Sequence, residues 1–247
     1  MSRAAPANSS LTHDAYERLR ADLLACRLQP GARLRINDLC QTLSVSLSAV
    51  REALSRLTSE GLVVAEPQRG FHAAPVSAAE LRDLTGVRAK IEGLCLERAI
   101  AAGDVAWEAQ LVAAFHRLSR TPEREAGDEQ RMSEAWSAAH AAFHAALVSG
   151  GDSLWLLRLR ETLYVQSERY RRLSVPMAST VRDLGREHQD IMDAVLAHDA
   201  ERAKALMTQH LERTTAVLLQ RPWVAEAPRR RERRGSQATA KAVATAA

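Results

Sequence analysis

The stretch VSLSAVREALSRLTSEGLVV, residues 45–64, constrains the fold of this chain more than any other. Apolar Val50, Ala53, Leu54 and Leu57 recur at helical spacing, while Arg51, Glu52, Ser55 and Arg56 fall elsewhere around the turn. The stretch opens on the hydroxyl-rich Ser46-Leu47-Ser48, Gly61 stops it, and the run Leu62-Val63-Val64 follows at once. Such a helix has polar groups at its N-terminus, a buried face behind them and a strand directly after. That combination suits a helix pushed end-first into a groove.

The neighbouring residues complete a small unit. Residues 12–28 read as a first helix closed by Gln29-Pro30-Gly31, and residues 36–43 as a short second one. Ser44-Val45 is then a tight turn into the third helix, 46–60. Two apolar runs, 62–66 and 71–75, joined by Pro67-Gln68-Arg69-Gly70, read as a hairpin. Three helices and a hairpin predict a winged helix-turn-helix over residues 11–75. Residues 1–10 are expected to be disordered.

Ser77 and Glu80 have capping-box spacing and open a long helix running to about Ala102. From there to Arg221 the pattern stays helical, broken at Gly103-Asp104, Thr121-Pro122, Gly150-Gly151-Asp152, Val175-Pro176 and His198-Asp199. These breaks predict about six helices with short connections, a bundle over residues 76–221. Hydrophobic residues at 46% with aromatics at only 4% suit helices packed on helices. The expected fold is therefore mainly α, a winged helix-turn-helix followed by an all-helical bundle. Residues 222–247 are basic and then Ala/Ser/Thr-rich, and read as a disordered tail.

The formal net charge of +4 conceals its distribution. Residues 1–75 carry nine Lys/Arg against seven Asp/Glu, residues 76–227 nineteen against twenty-two, and the tail from 228 six against one. Affinity for phosphate must then come from the two ends. Three scattered cysteines, Cys26, Cys40 and Cys95, offer no CxxC spacing, which points to a reducing cytoplasm. No run approaches the roughly 18 apolar residues of a membrane span. A cytoplasmic protein without a membrane partner is expected.

A recognition helix needs short polar side chains and arginines near its N-terminus, where they reach base edges and phosphates. Ser46, Ser48 and Arg51 meet that need. Arg33, Arg35 and Asn37 flank the second helix, which in this geometry crosses the phosphate backbone. Arg69 and Gly70 at the wing tip can enter the minor groove or grip a phosphate. Taken singly, Ser46 also reads as a helix cap and each arginine as a solvated surface group. The ordered set is what points to double-stranded DNA.

Four of the eight histidines are also patterned. His140 and His144 stand one turn apart on one helix, on a stripe with Trp136, Phe143 and Leu147. His188 and His210 lie on apolar stripes eleven residues before and after Asp199. In an antiparallel helix pair, equal distances from the turn put both rings at one height. Three or four converging imidazoles make a plausible site for a divalent metal ion, zinc or nickel in the first place. The other reading is a set of core histidines bonded to their neighbours. That reading needs four desolvated rings each to find a partner.

Residues 11–75 resemble the DNA-binding domain of the GntR regulators, through LQPGARL, the VSxSxVREALSRLTSEGLV run and the PxRGF wing. Residues 76–221 resemble the FCD effector domain of the FadR subfamily, through SAAELRDLTGVRAKIEG, AAFHAAL and EHQDIMDAVLAHDAERAKALMTQHL. Where that family usually has Arg at the second residue of the recognition helix, and often Pro two residues later, this chain has Leu47 and Ala49. FCD domains of the metal-binding type carry Asp or Asn, then His four residues later, then two histidines on the last two helices. His144, His188 and His210 match, and His140 takes the acidic place. Arg88 matches a family position that tends to face the cavity, where an arginine suits a carboxylate. A salt bridge to Glu92, four residues on, is the alternative.

The resemblance implies a transcription factor, a repressor by expectation, that binds an inverted-repeat operator as a homodimer. Its helical domain would sense a small carboxylate effector at the metal. Two rivals remain: a bundle with a metal-free acyl or aromatic pocket, and a metal-dependent enzyme. Against the enzyme, HAAFH lacks the glutamate base of an HExxH protease, and no nucleophile has a paired base.

Overall fold

The computed structural model describes residues 7–174 and 182–220. Their element order is α1 (Ala7–Leu24), β1 (Arg33–Leu34), α2 (Ile36–Leu43), α3 (Leu47–Ser59), β2 (Val63–Glu66), β3 (Gly70–Ala73), α4 (Ala78–Ala102), α5 (Val105–Arg120), β4 (Arg124–Glu125), β5 (Asp128–Met132), α6 (Glu134–Ala146), α7 (Leu154–Ser174), α8 (Leu184–Leu196) and α9 (Ala200–Leu219). Helices α1 to α3 and the wing close around Leu19, Val50, Leu54, Leu57 and Leu62. Helices α4 to α9 enclose a second core built on Leu96, Leu111, Phe143, Leu147, Ile191 and Met207. The two units anticipated from the sequence are thus both present.

Three features depart from the expectation. Helix α1 begins at Ala7, inside the stretch expected to be disordered, and ends at Leu24 rather than near residue 28. Its stop is Cys26 at φ 54°, with Cys26 N–H donating to Leu23 O and Arg27 N–H to Asp22 O. That is a Schellman ending without its usual glycine, so no glycine marked it. Arg33–Leu34 forms a short strand against β3, making the wing a three-stranded sheet ordered β1-β3-β2. The second unit is not all-helical, because β4 and β5 pair as a small ribbon before α6. Residues 1–6 and 221–247, where disorder is expected, lie outside the described residues.

The long helix α4 starts as anticipated at Ser77, whose hydroxyl accepts from Glu80 N–H. The reciprocal half of the capping box is replaced by a tyrosine from α7. Ser77 N–H donates to Tyr170 Oη, and that hydroxyl donates to Glu80 Oε2 at 2.7 Å. Helix α7 thereby closes the start of α4, at the joint between the two units. Among the described residues no helix is long and apolar enough to cross a membrane.

Candidate nucleic-acid interface and metal centre

Recognition helix α3 begins as its sequence dictates. Ser46 is the N-cap, its side chain accepting from Ala49 N–H at 3.3 Å, and Val50, Ala53, Leu54 and Leu57 hold the other face in the core. Ser44 at φ 57° makes the turn from α2. An open cleft of about 740 Å³ lies between α3 and the wing, lined by Arg33, Arg35, Asn37, Arg51, Arg69 and Gly70 among others. Arg35 stands at the N-cap position of α2 but caps nothing, so its side chain is free to line the cleft. Gln68 at φ 64° and Gly70 at φ 85° turn the wing tip, with open space around Gly70. Arg69 projects there with its side chain 78% exposed, touching Glu66 Oε2 at 3.1 Å.

Ser46 and Ser48 do not share that cleft. They bond each other at 2.9 Å and line a second depression on the α1 side of the helix, with Thr12, His13, Glu52 and Arg56. The N-terminus of α3 therefore stands between two depressions, and Leu47 sits at its tip, 44% exposed. Sequence spacing named the residues but could not divide them between the two sides.

The four histidines come together. His140 and His144 project from α6, His188 from α8 and His210 from α9, and each offers a nitrogen within 4.8 Å of the others'. The rings of His188 and His210 are 4.8 Å apart, at one height across the α8–α9 pair. All four are buried. Burial, followed by the neighbouring cationic groups and rings, holds His140 and His144 well below the usual imidazole range. His188 is likewise held well below, and His210 is lowered mainly by burial. All four are therefore neutral at pH 7, the form that has a lone pair to give.

Two of the rings are oriented by neighbours. His210 Nδ1 stands 2.8 Å from Glu187 Oε2, the contact that fixes Nδ1 as the protonated nitrogen and leaves Nε2 to face the cluster. Burial alone would raise the Glu187 carboxyl, but hydrogen bonds from Arg182 and His210 hold it well below the carboxylate range. His140 Nδ1 meets Tyr164 Oη at 3.3 Å. By contrast both nitrogens of His144, and Nε2 of His188, are buried without a hydrogen-bond partner among the described residues. Stranded nitrogens of this kind cost free energy unless something shares them. The donor set fits a divalent metal of intermediate softness.

Beside the cluster is a small cavity of about 40 Å³, lined by Arg88, His140, Tyr164, Ser167, Glu168, His210 and other residues of α4, α7 and α9. Arg88 lines the cavity, and its Nε and Nη2 bond Glu92 Oε1 at 3.2 Å, in a buried rather than a surface pair. Glu92 is fully buried and its second oxygen accepts from Arg160 Nε at 3.1 Å. Both guanidiniums lie 5.0 Å from the Tyr164 ring centre. Arg160, Tyr164 and Glu168 escaped the sequence reading, although their i, i+4, i+8 spacing on α7 puts them on one face. Charged residues at helical spacing are usually a solvated face, and here that prior misleads.

Residues 11–72 match the family described as bacterial regulatory proteins, gntR family, and residues 83–213 match the FCD domain. This chain belongs to the GntR family, with an FCD domain. Among the relatives of this GntR regulator, BphR of Paraburkholderia xenovorans, an HTH-type transcriptional regulator, is 41% identical, covering 85% of this chain and 86% of that protein. The HTH-type transcriptional repressor GlaR of Escherichia coli is 37% identical, over 80% of this chain and 91% of that protein. Among solved structures, McbR/YncC of Escherichia coli shares the fold at a TM-score of 0.70, with 23% identity, over 85% of this chain and 97% of that one. The protein is a DNA-binding transcriptional regulator, and neither domain is that of an enzyme.

Proposed function

We propose that this regulator represses transcription from an inverted-repeat operator as a homodimer, and that its FCD domain senses a small carboxylate at a divalent-metal site. The observation that carries the metal is the convergence of four buried, neutral imidazoles, three of whose ring nitrogens have no partner among the described residues. His144, His188 and His210 would hold the ion, with His140 as a fourth ligand. Bound there, zinc or nickel supplies a Lewis acid that attracts an anionic oxygen. Arg88 lines the adjoining cavity and, with Nε and Nη2 on Glu92, would offer its remaining Nη1 donors to the rest of that carboxylate. The arginines and hydroxyls of the lining favour this ligand class over an acyl chain or aromatic ring.

Arg33, Arg35, Asn37, Arg51, Arg69 and Gly70 contact DNA from the wing side of α3, and Ser46 and Ser48 from the other side. The name of GlaR supports repression. Support for the homodimer comes from a stripe of exposed apolar side chains on α4 and α7, Val87, Leu94, Trp155 and Leu159, facing outward from two helices that pack together. Such a stripe left in water marks an association surface.

Metal content measured on protein purified without chelators, followed by titration of stripped protein, tests the central claim. One ion per chain, lost in His188→Ala and His210→Ala while operator binding persists, is the expected result. Protein that contains no metal, binds none on titration and shows no melting shift rejects it. Retention of metal in His140→Ala would define a three-histidine site.

A further inference from the structure

Helix α7 presents two faces to two different parts of the molecule. Tyr164, Ser167, Glu168 and Arg171 stand at i, i+3, i+4 and i+7, on one face, and line the cavity beside the histidines. Val165, Gln166 and Arg169 point the other way, into the DNA-binding domain. Val165 packs on its core, and Gln166 Nε2 donates to Glu60 O at 2.6 Å, at the end of recognition helix α3. Arg169, 3% exposed, donates through Nη2 to the carbonyls of Ala74 and Pro75, the residues that lead from the wing into α4. Its own carbonyl accepts from Cys26 Sγ, just past α1, at 3.4 Å.

The chemistry of the Arg169 contact makes it stiff. The buried Arg169 guanidinium is held by the carbonyls of Ala74 and Pro75 and the amide oxygen of Gln166, with the charge of Glu80 nearby, and losing those oxygens would strand its donors out of water. The linker therefore follows the helix rather than sliding over it. On the opposite face Tyr164 Oη touches His140, so the same helix also registers the position of a cluster ring. We propose that α7 is the coupling element of this regulator: a shift of the helix, forced by what fills the cavity, is delivered to the DNA-binding domain through Gln166 and Arg169. This rests on the reading of that cavity as the effector site. Arg169 is a positioning residue, which touches neither DNA nor effector.

Coupling between two sites is reciprocal, so it can be read from the DNA side without effector or metal. The test is amide hydrogen exchange on the full chain, with and without an operator duplex recovered by selection from a random pool. In the wild-type protein the duplex should change exchange at residues 163–172 by roughly five-fold or more, the lower end of ordinary allosteric coupling. Arg169→Lys and Gln166→Ala should abolish that change while binding the duplex within about three-fold of wild type. Arg158→Ala, on the same helix but outside both faces, should keep it. If Arg169→Lys does not fold, Gln166→Ala decides alone. An unchanged α7 in the wild-type complex, a response that survives in the variants, or variants that lose the duplex itself would each overturn the proposal. Failure of metal binding would remove the metal reading and leave this result standing.

Discussion

The cleft beside α3 and the chamber beneath α7 are both built from nitrogen-bearing side chains, and they differ in contact with water. In the cleft, Arg51 and Arg69 are solvated and belong to different elements, and Arg69 shares an exposed ion pair with Glu66. In the chamber four rings crowd within contact of one another, out of water and uncharged. Separated, solvated groups contribute additively and are screened by salt, whereas groups in mutual contact act as a unit. The cleft should therefore lose function in increments, and the chamber all at once.

The largest expected effect is in the chamber. Metal at about a thousand times its dissociation constant stabilises the fold by about 4 kcal/mol. For a chain of this size that is a melting shift of roughly 8–16 °C. Calorimetry with and without chelator should show this shift in the wild type and none in His188→Ala. The double variant His188→Ala/His210→Ala should lose no more of it than either single one. A half-sized shift in each single variant would mean that the rings act separately, and the contrast with the cleft would fail.

Acid should expose the same unity in metal-free protein. Unfolded imidazoles take a proton near pH 6.5, while the folded rings are held neutral below that by burial and by Arg171, Arg88, Arg160 and Arg182, with Glu187 opposing. Their contribution is present above pH 6.5 and is lost as pH falls toward the lower folded values. The slope is about 1.4 kcal/mol per pH unit for each such ring. Urea midpoints at pH 7.5 and 5.5 measure it, and a flat profile would put the rings in water.

Effects in the cleft are smaller and should add. Arg51→Ala should weaken operator binding by about 1–3 kcal/mol without moving the melting temperature. Arg69→Ala should cost less and lower the salt slope by about one. The double variant should equal the sum of the two within about 0.5 kcal/mol. A strong departure from additivity in the titrations would make the wing and the helix a coupled unit like the chamber.

Legibility followed the same division. The limits of α3 and the start of α4 could be read because Ser46, Gly61 and Ser77 advertise their roles chemically. The end of α1 could not, since Cys26 adopts a left-handed conformation usually left to glycine. The α8–α9 turn has a similar ending at His198, φ 54°, but there a polar cap, Asp199, marked the next helix. Convergence of His188 and His210 followed from symmetric spacing about that turn. Convergence of Arg88, Glu92 and Arg160 did not, because nothing in sequence says that three charges will leave water together. The β4–β5 ribbon was missed because its residues, such as Arg124, Glu125 and Asp128, are polar and lack alternation.

The docking of residues near Cys26, Glu60 and Ala74 onto α7 also sets an order of events during synthesis. The acceptors and donors on the DNA-binding side leave the ribosome some 95 to 143 residues ahead of the helix that covers them. At about 5–20 residues per second the delay is roughly 5–30 seconds, long compared with the folding of a small helical domain. The newborn DNA-binding domain thus matures with its docking face bare and its linker unfastened. It can reach DNA before the part that would instruct it exists.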